Sequence, residues 1–71
     1  MPYQVLLNIK GKQSVERFFD NEEQRNKFVE DFELSMYEKG ITLIEAPRHP
    51  LFVSFNLFNK KINIGYITLY L

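Results

Sequence analysis

The sequence predicts an α+β fold of order β-β-α-β-β-β, a curled antiparallel sheet with one amphipathic helix packed on one face. Three observations carry that prediction. Period-2 alternation of apolar and polar residues recurs in several short segments, which is the pattern of strands. Only the segment between Asp20 and Gly40 switches to a helical period. The links between segments are short, which makes consecutive elements antiparallel. With 71 residues, the chain is expected to form one small domain, 1–71, near the size where a single core is marginally stable.

Tyr3 to Ile9 alternates, with Tyr3, Val5, Leu7 and Ile9 on one face and Gln4, Leu6 and Asn8 on the other. Lys10-Gly11-Lys12 reads as a hairpin turn, because Gly11 adopts a positive φ without steric cost. Gln13 to Phe19 is a more polar strand. Its Glu16 and Arg17 suit a sheet edge, where charge discourages unwanted pairing. Asp20 reads as a helix N-cap with Glu23 completing a capping box. Phe28, Val29, Phe32 and Met36 then fall on one stripe at 100° per residue and form the expected core face. Gly40 is placed to end the helix in a left-handed conformation, with Lys39 in the last turn.

Ile41 to Glu45 is a third strand, and the two prolines of Ala46-Pro47-Arg48-His49-Pro50 mark a connection. Leu51 to Phe58 is a fourth. It places Leu51, Val53, Phe55 and Leu57 inward and Phe52, Ser54, Asn56 and Phe58 outward. Asn59-Lys60-Lys61 turns the chain into a fifth strand, Ile62 to Leu71. Its alternation breaks at Gly65. A bulge there keeps Ile62, Ile64, Ile67, Leu69 and Leu71 on the core face and turns Tyr66, Thr68 and Tyr70 outward.

Hydrophobic residues make up 45% of the chain and aromatics 15%, enough to fold without staples. There is no cysteine, hence no disulfide framework and no thiolate metal site. The opening MPYQVLLNIKG has no basic leader, and its apolar run is too short for a signal peptide. Nothing approaches the roughly 18 apolar residues of a membrane helix. These features predict a soluble, cytoplasmic protein with no membrane partner. The richness in Asn, Lys, Phe and Ile fits an accessory or inhibitor type of protein from an AT-rich bacterium or its phage.

The formal net charge of zero hides a split. From Asp20 to Lys39 there are seven acids and three bases, a net −4; the remainder carries two acids and six bases, a net +4. Antiparallel connections bring Lys10, Lys12, Lys39, Lys60 and Lys61 to one end of the domain. Asp20, Glu22 and Glu23 go to the other end, near Arg48 and His49.

No arrangement of residues supports catalysis. His49 is the one histidine, and no partner is placed to orient it as a general base. Ser14, Ser35 and Ser54 have no histidine or lysine at a recognisable spacing. One histidine with scattered acids makes no metal site, and the three isolated glycines form no phosphate loop. The chain is therefore read as a non-enzyme without cofactors.

The informative feature is a sheet with aromatics on both faces. Phe52, Phe58, Tyr66 and Tyr70 are expected on the face away from the helix. There they suit a protein partner or a second copy of the chain, unless the sheet curls enough to bury them. Leu34 and Tyr37, on the acidic solvent arc of the helix, form a second candidate patch. The alternative is single-stranded nucleic-acid binding, with the sheet aromatics stacking bases and Lys10, Lys12, Lys60 and Lys61 meeting phosphates. Phe52-Val53-Ser54-Phe55 matches only the tail of the aromatic strand signature of RNA-binding domains. The Lys/Arg-Gly-aromatic-Gly part before it and a second helix are missing, so no family is assigned.

Overall fold

A computed structural model describes residues 3–71. Its elements are β1 (Tyr3–Ile9), β2 (Val15–Phe19), α1 (Glu22–Glu38), β3 (Ile41–Glu45), β4 (Phe52–Asn59) and β5 (Ile62–Tyr70). All five strands form one open antiparallel sheet in the order β2-β1-β5-β4-β3. The α+β class and the element order are those the sequence predicts.

The order follows from which strands tolerate exposure. β5 is the most buried strand, with Ile67, Thr68 and Leu69 all buried, and it takes the centre. β2 and β3 carry charged or exposed residues and take the edges. The helix joins one edge strand to the other. Four strand spacings are about 19 Å across, whereas 17 helical residues extend about 25 Å. The helix is therefore long enough to cross the whole sheet obliquely. It contacts β3, β1 and β2 and covers one face.

The core lies under that helix. Val5, Leu57, Ile67 and Leu69 form its buried centre, and Phe28, Val29 and Phe32 of the expected stripe pack on it from above. Met36 completes the stripe and is buried. Phe19 of β2 meets Phe28 with ring centroids 5.3 Å apart.

Several boundaries differ from expectation. Asn21, not Asp20, is the N-cap, and its side chain accepts a hydrogen bond from the Gln24 amide at 2.8 Å. Both residues are competent caps. Asn21 is the one in extended backbone with its oxygen over the first turn. Lys39 is the C-cap rather than a member of the last turn, and Gly40 takes the expected left-handed φ of 78°. β2 begins at Val15, two residues later than Gln13. Leu51 lies just outside β4 and is exposed, and Ile62 and Leu71 at the two ends of β5 are exposed as well. Alternation places these three on the core side without burying them.

The bulge is present. Leu57 pairs with Gly65 but Phe58 pairs with Asn63, leaving Ile64 as the extra residue. Ile64 thereby turns toward the core beside Ile67 and Leu69.

Candidate functional site

Among the described residues, the face of the sheet opposite the helix has no second layer. The register arranges it in rows that run across the strands. At one end Phe18 pairs with Gln4 and Tyr70 with Phe52, just past the last β1–β5 pair, Val5 with Leu69. The Phe52 ring meets Tyr70 edge-on at 6.3 Å, and His49 stacks flat on Phe52 at 4.3 Å. His49 is fixed there because its Nδ1 accepts the Leu51 amide hydrogen at 3.1 Å. In the middle of the face Leu6, Thr68 and Ser54 adjoin one another, with the two hydroxyls 3.1 Å apart. Asn8, Tyr66, Asn56 and Ile44 form the next row, and Phe58 and Thr42 lie beyond it.

The four predicted aromatics therefore share the outer face, but they do not form one patch. Phe52 and Tyr70 cluster at one end, while Tyr66 and Phe58 lie diagonally adjacent toward the other, within reach of each other across the strands. The row of Leu6, Thr68 and Ser54 separates the two groups. Phe52 and Phe58 are half-buried by their neighbours, whereas Tyr66 and Tyr70 are 38% and 36% exposed. The sheet keeps two free edges instead of closing over these rings. Phe18, His49 and Ile44 belong to the same surface, beyond the four expected aromatics. Phe18 faces outward from the edge strand, and the place of His49 depends on a loop that folds back onto Phe52.

The charge layout is polar along the strands. Ile9 pairs with Gly65 and Ile41 with Asn59, so the turns at Lys10–Lys12 and Lys60–Lys61 and the helix end at Lys39 share one end of the domain. Phe58 and Tyr66 are the aromatics at this lysine end. Phe58 lines a hollow there of about 530 Å³ together with Gly40, Thr42, Ile44, Lys60 and Lys61. Phe52 and Tyr70 lie at the opposite end, where Phe19 and the helix start place Asp20, Glu22 and Glu23.

Leu34 and Tyr37 stand on the other side of the molecule. They are 64% and 78% exposed and, with Glu30 and Glu33, line a groove of about 570 Å³ between the helix and Ile41, Thr42 and Leu43 of β3. The sequence shows the helix stripe but not the strand beside it, because that neighbour depends on strand order.

Arg25 is the one charged residue buried among those described, at 5% exposure. Its guanidinium lies 5.3 Å from the Tyr3 ring centroid and donates to Asn26 Oδ1, to Glu22 Oε1 and, at 3.4 Å, to the Tyr70 carbonyl. All three guanidinium nitrogens donate to protein, so Arg25 reads as a structural clasp. The exposed Arg48–Glu45 pair at 3.6 Å contributes little. No group of three His, Asp or Glu side chains is close enough to hold a metal ion among the described residues. No helix is long and apolar enough to cross a membrane among them either.

No family model, curated protein or solved structure matches this chain.

Proposed function

We propose that the chain is a small non-enzymatic protein-interaction module that works as a homodimer, with the outer sheet face as the dimer contact. The observation that supports this most is the uncovered sheet. The chain exposes 5472 Å². A monomer of 8.5 kDa is expected to expose about 4,650 Å². The excess of about 800 Å² is what one partner contributes to a standard interface.

Charge and chemistry favour a second copy as the occupant. Two faces can pack about a two-fold axis along the strands or across them. An axis along the strands stacks lysine turns on lysine turns. An axis across them brings Lys10, Lys12, Lys60 and Lys61 of one copy toward Asp20, Glu22 and Glu23 of the other. The same rotation sets the Phe52–Tyr70 cluster against Phe58, Tyr66 and the hollow beside them. The central hydroxyls of Ser54 and Thr68 then meet their own copies, and hydroxyls both donate and accept. Such a contact is isologous and closes at two copies.

Single-stranded nucleic acid is the second reading, favoured by Phe58 and Tyr66 beside Lys10, Lys12, Lys60 and Lys61. It makes less use of the molecule, because Phe52 and Tyr70 lie at the acidic end. Sedimentation equilibrium tests the first reading. The native chain is expected to behave as a dimer, and Phe52→Ser with Tyr70→Ser as a folded monomer by circular dichroism. A monomeric native chain that binds a labelled oligonucleotide, with affinity falling steeply as salt rises, would replace the dimer with the second reading. An unfolded double variant would assign the two rings to the core.

A further inference from the structure

We infer that the free edge of β3 and the groove beside it form a separate docking site, which takes an extended segment of a partner protein carrying an apolar and a basic side chain two residues apart. This inference does not rest on the outer face, which lies on the other side of the sheet.

The edge is open in a defined way. Among the described residues β3 pairs with β4 alone. The Ala46 amide donates to the Ser54 carbonyl at 2.9 Å, so that position is a hydrogen-bonded pair of the ladder. In an antiparallel ladder such pairs alternate with positions whose N–H and C=O groups point away. By the register, Thr42 and Ile44 therefore bond to Phe58 and Asn56, and Ile41, Leu43 and Glu45 direct their backbone groups outward. The other edge differs. β2 presents Glu16 and Arg17 among exposed residues, and only Phe19 at its end is half-buried, against Phe28.

The groove supplies what a bare edge lacks, namely selectivity among side chains. An added strand places alternate side chains on the helix side of the sheet. That side is walled by Glu30, Glu33, Leu34 and Tyr37, which are spaced i, i+3, i+4 and i+7 on one stripe of the helix. The helix runs antiparallel to β3, since Gly40 leads directly from one into the other. Along β3, the apolar wall of Tyr37 and Leu34 beside Ile41 therefore comes first. The carboxylates of Glu33 and Glu30 follow, beside Leu43. One incoming side chain meets an apolar wall, and the next on the same face meets two carboxylates. A basic residue is the complement there, and an acidic one is repelled.

The probe is a blocked peptide, acetyl-Thr-Lys-Thr-Ile-Thr-Lys-Thr-amide, which offers lysine two residues from isoleucine in either orientation. It is titrated into the isotope-labelled chain. Saturable shifts confined to Ile41–Glu45 and the Glu30–Tyr37 stripe are expected, and the amides of Ile41, Leu43 and Glu45 should exchange quickly alone and slowly with peptide. N-methylation of one alternate set of peptide amides should abolish binding, and N-methylation of the other set should leave it. Glu30→Lys with Glu33→Lys, both at exposed positions, should weaken binding by about tenfold or more through like-charge contact. The same variant should favour the peptide with glutamate in place of lysine. Absent binding, indifference to either methylation, or shifts on the outer face would overturn the proposal. Slow exchange of those three amides without peptide would also overturn it, since the edge would then be occupied by a second copy. Phe52→Ser with Tyr70→Ser should bind the peptide like the native chain, so loss of the dimer and loss of this site are separate results.

Discussion

Gly65 is the residue on which the sheet most depends. It lies in the central strand between Ile9 of β1 and Leu57 of β4. Its φ is 153°, and a Cβ there would overlap the Asn8 carbonyl oxygen and come within 2.9 Å of the Ile9 Cα. Both are backbone atoms of a paired strand, so relief requires moving β1 itself. Gly65→Ala is expected to cost about 3 kcal/mol or more. A 71-residue domain has about 4–10 kcal/mol in all. Chemical denaturation should therefore show a much lower midpoint, and a change below about 1 kcal/mol would mean that β1 yields easily. This position was legible in the sequence, because alternation fails there and glycine tolerates what the failure demands. Arg25 was not. It stands in a charged segment and reads as solvated, and its burial depends on Tyr3 and the Tyr70 carbonyl converging from distant strands.

The elements themselves were readable for the same reason that they form. Period-2 and period-3.6 patterns are local, so β1 and β3 emerge with the expected limits and the helix stripe of Phe28, Val29, Phe32 and Met36 faces the core. Strand order is not local. Nothing within β5 says that it slots between β1 and β4, and the groove at β3 depends on that order. Arg25 is what ties the start of the helix to this arrangement, by reaching the end of β5 and the first described residue of β1. Its stem and its charge act differently. Arg25→Ala removes packing as well as charge and is expected to cost about 2–3 kcal/mol. Arg25→Met keeps the aliphatic volume and removes a buried ion, and it should fall within about 1 kcal/mol of the native chain. Equal losses in the two variants, measured by thermal and urea unfolding, would show that the guanidinium contacts and not the packed stem hold the helix.

At the scale of the whole molecule, the turn at the lysine end shows a conflict between folding and charge. Asn59 and Ile62 pair directly, so Lys60 and Lys61 are the two central residues of the hairpin, and both have positive φ, 50° and 72°. Such turns favour Asn-Gly, and branched-off side chains in left-handed backbone are strained. The strain sits at the end of the domain where the proposed dimer needs positive charge. Lys60→Asn with Lys61→Gly should therefore act in opposite directions on two measurements. Relief of strain is expected to stabilise the fold by about 1–2 kcal/mol, raising the melting temperature by roughly 5–10 °C for a domain of this size. Loss of two positive charges should weaken the dimer, and the remaining association should depend less on salt because fewer attractive charges are screened. Sedimentation at two ionic strengths, alongside thermal unfolding, reads both effects. A variant that is more stable and equally dimeric would remove charge from the account of the dimer. The aromatic clusters and the central hydroxyls would then have to set the orientation of the two copies by shape alone.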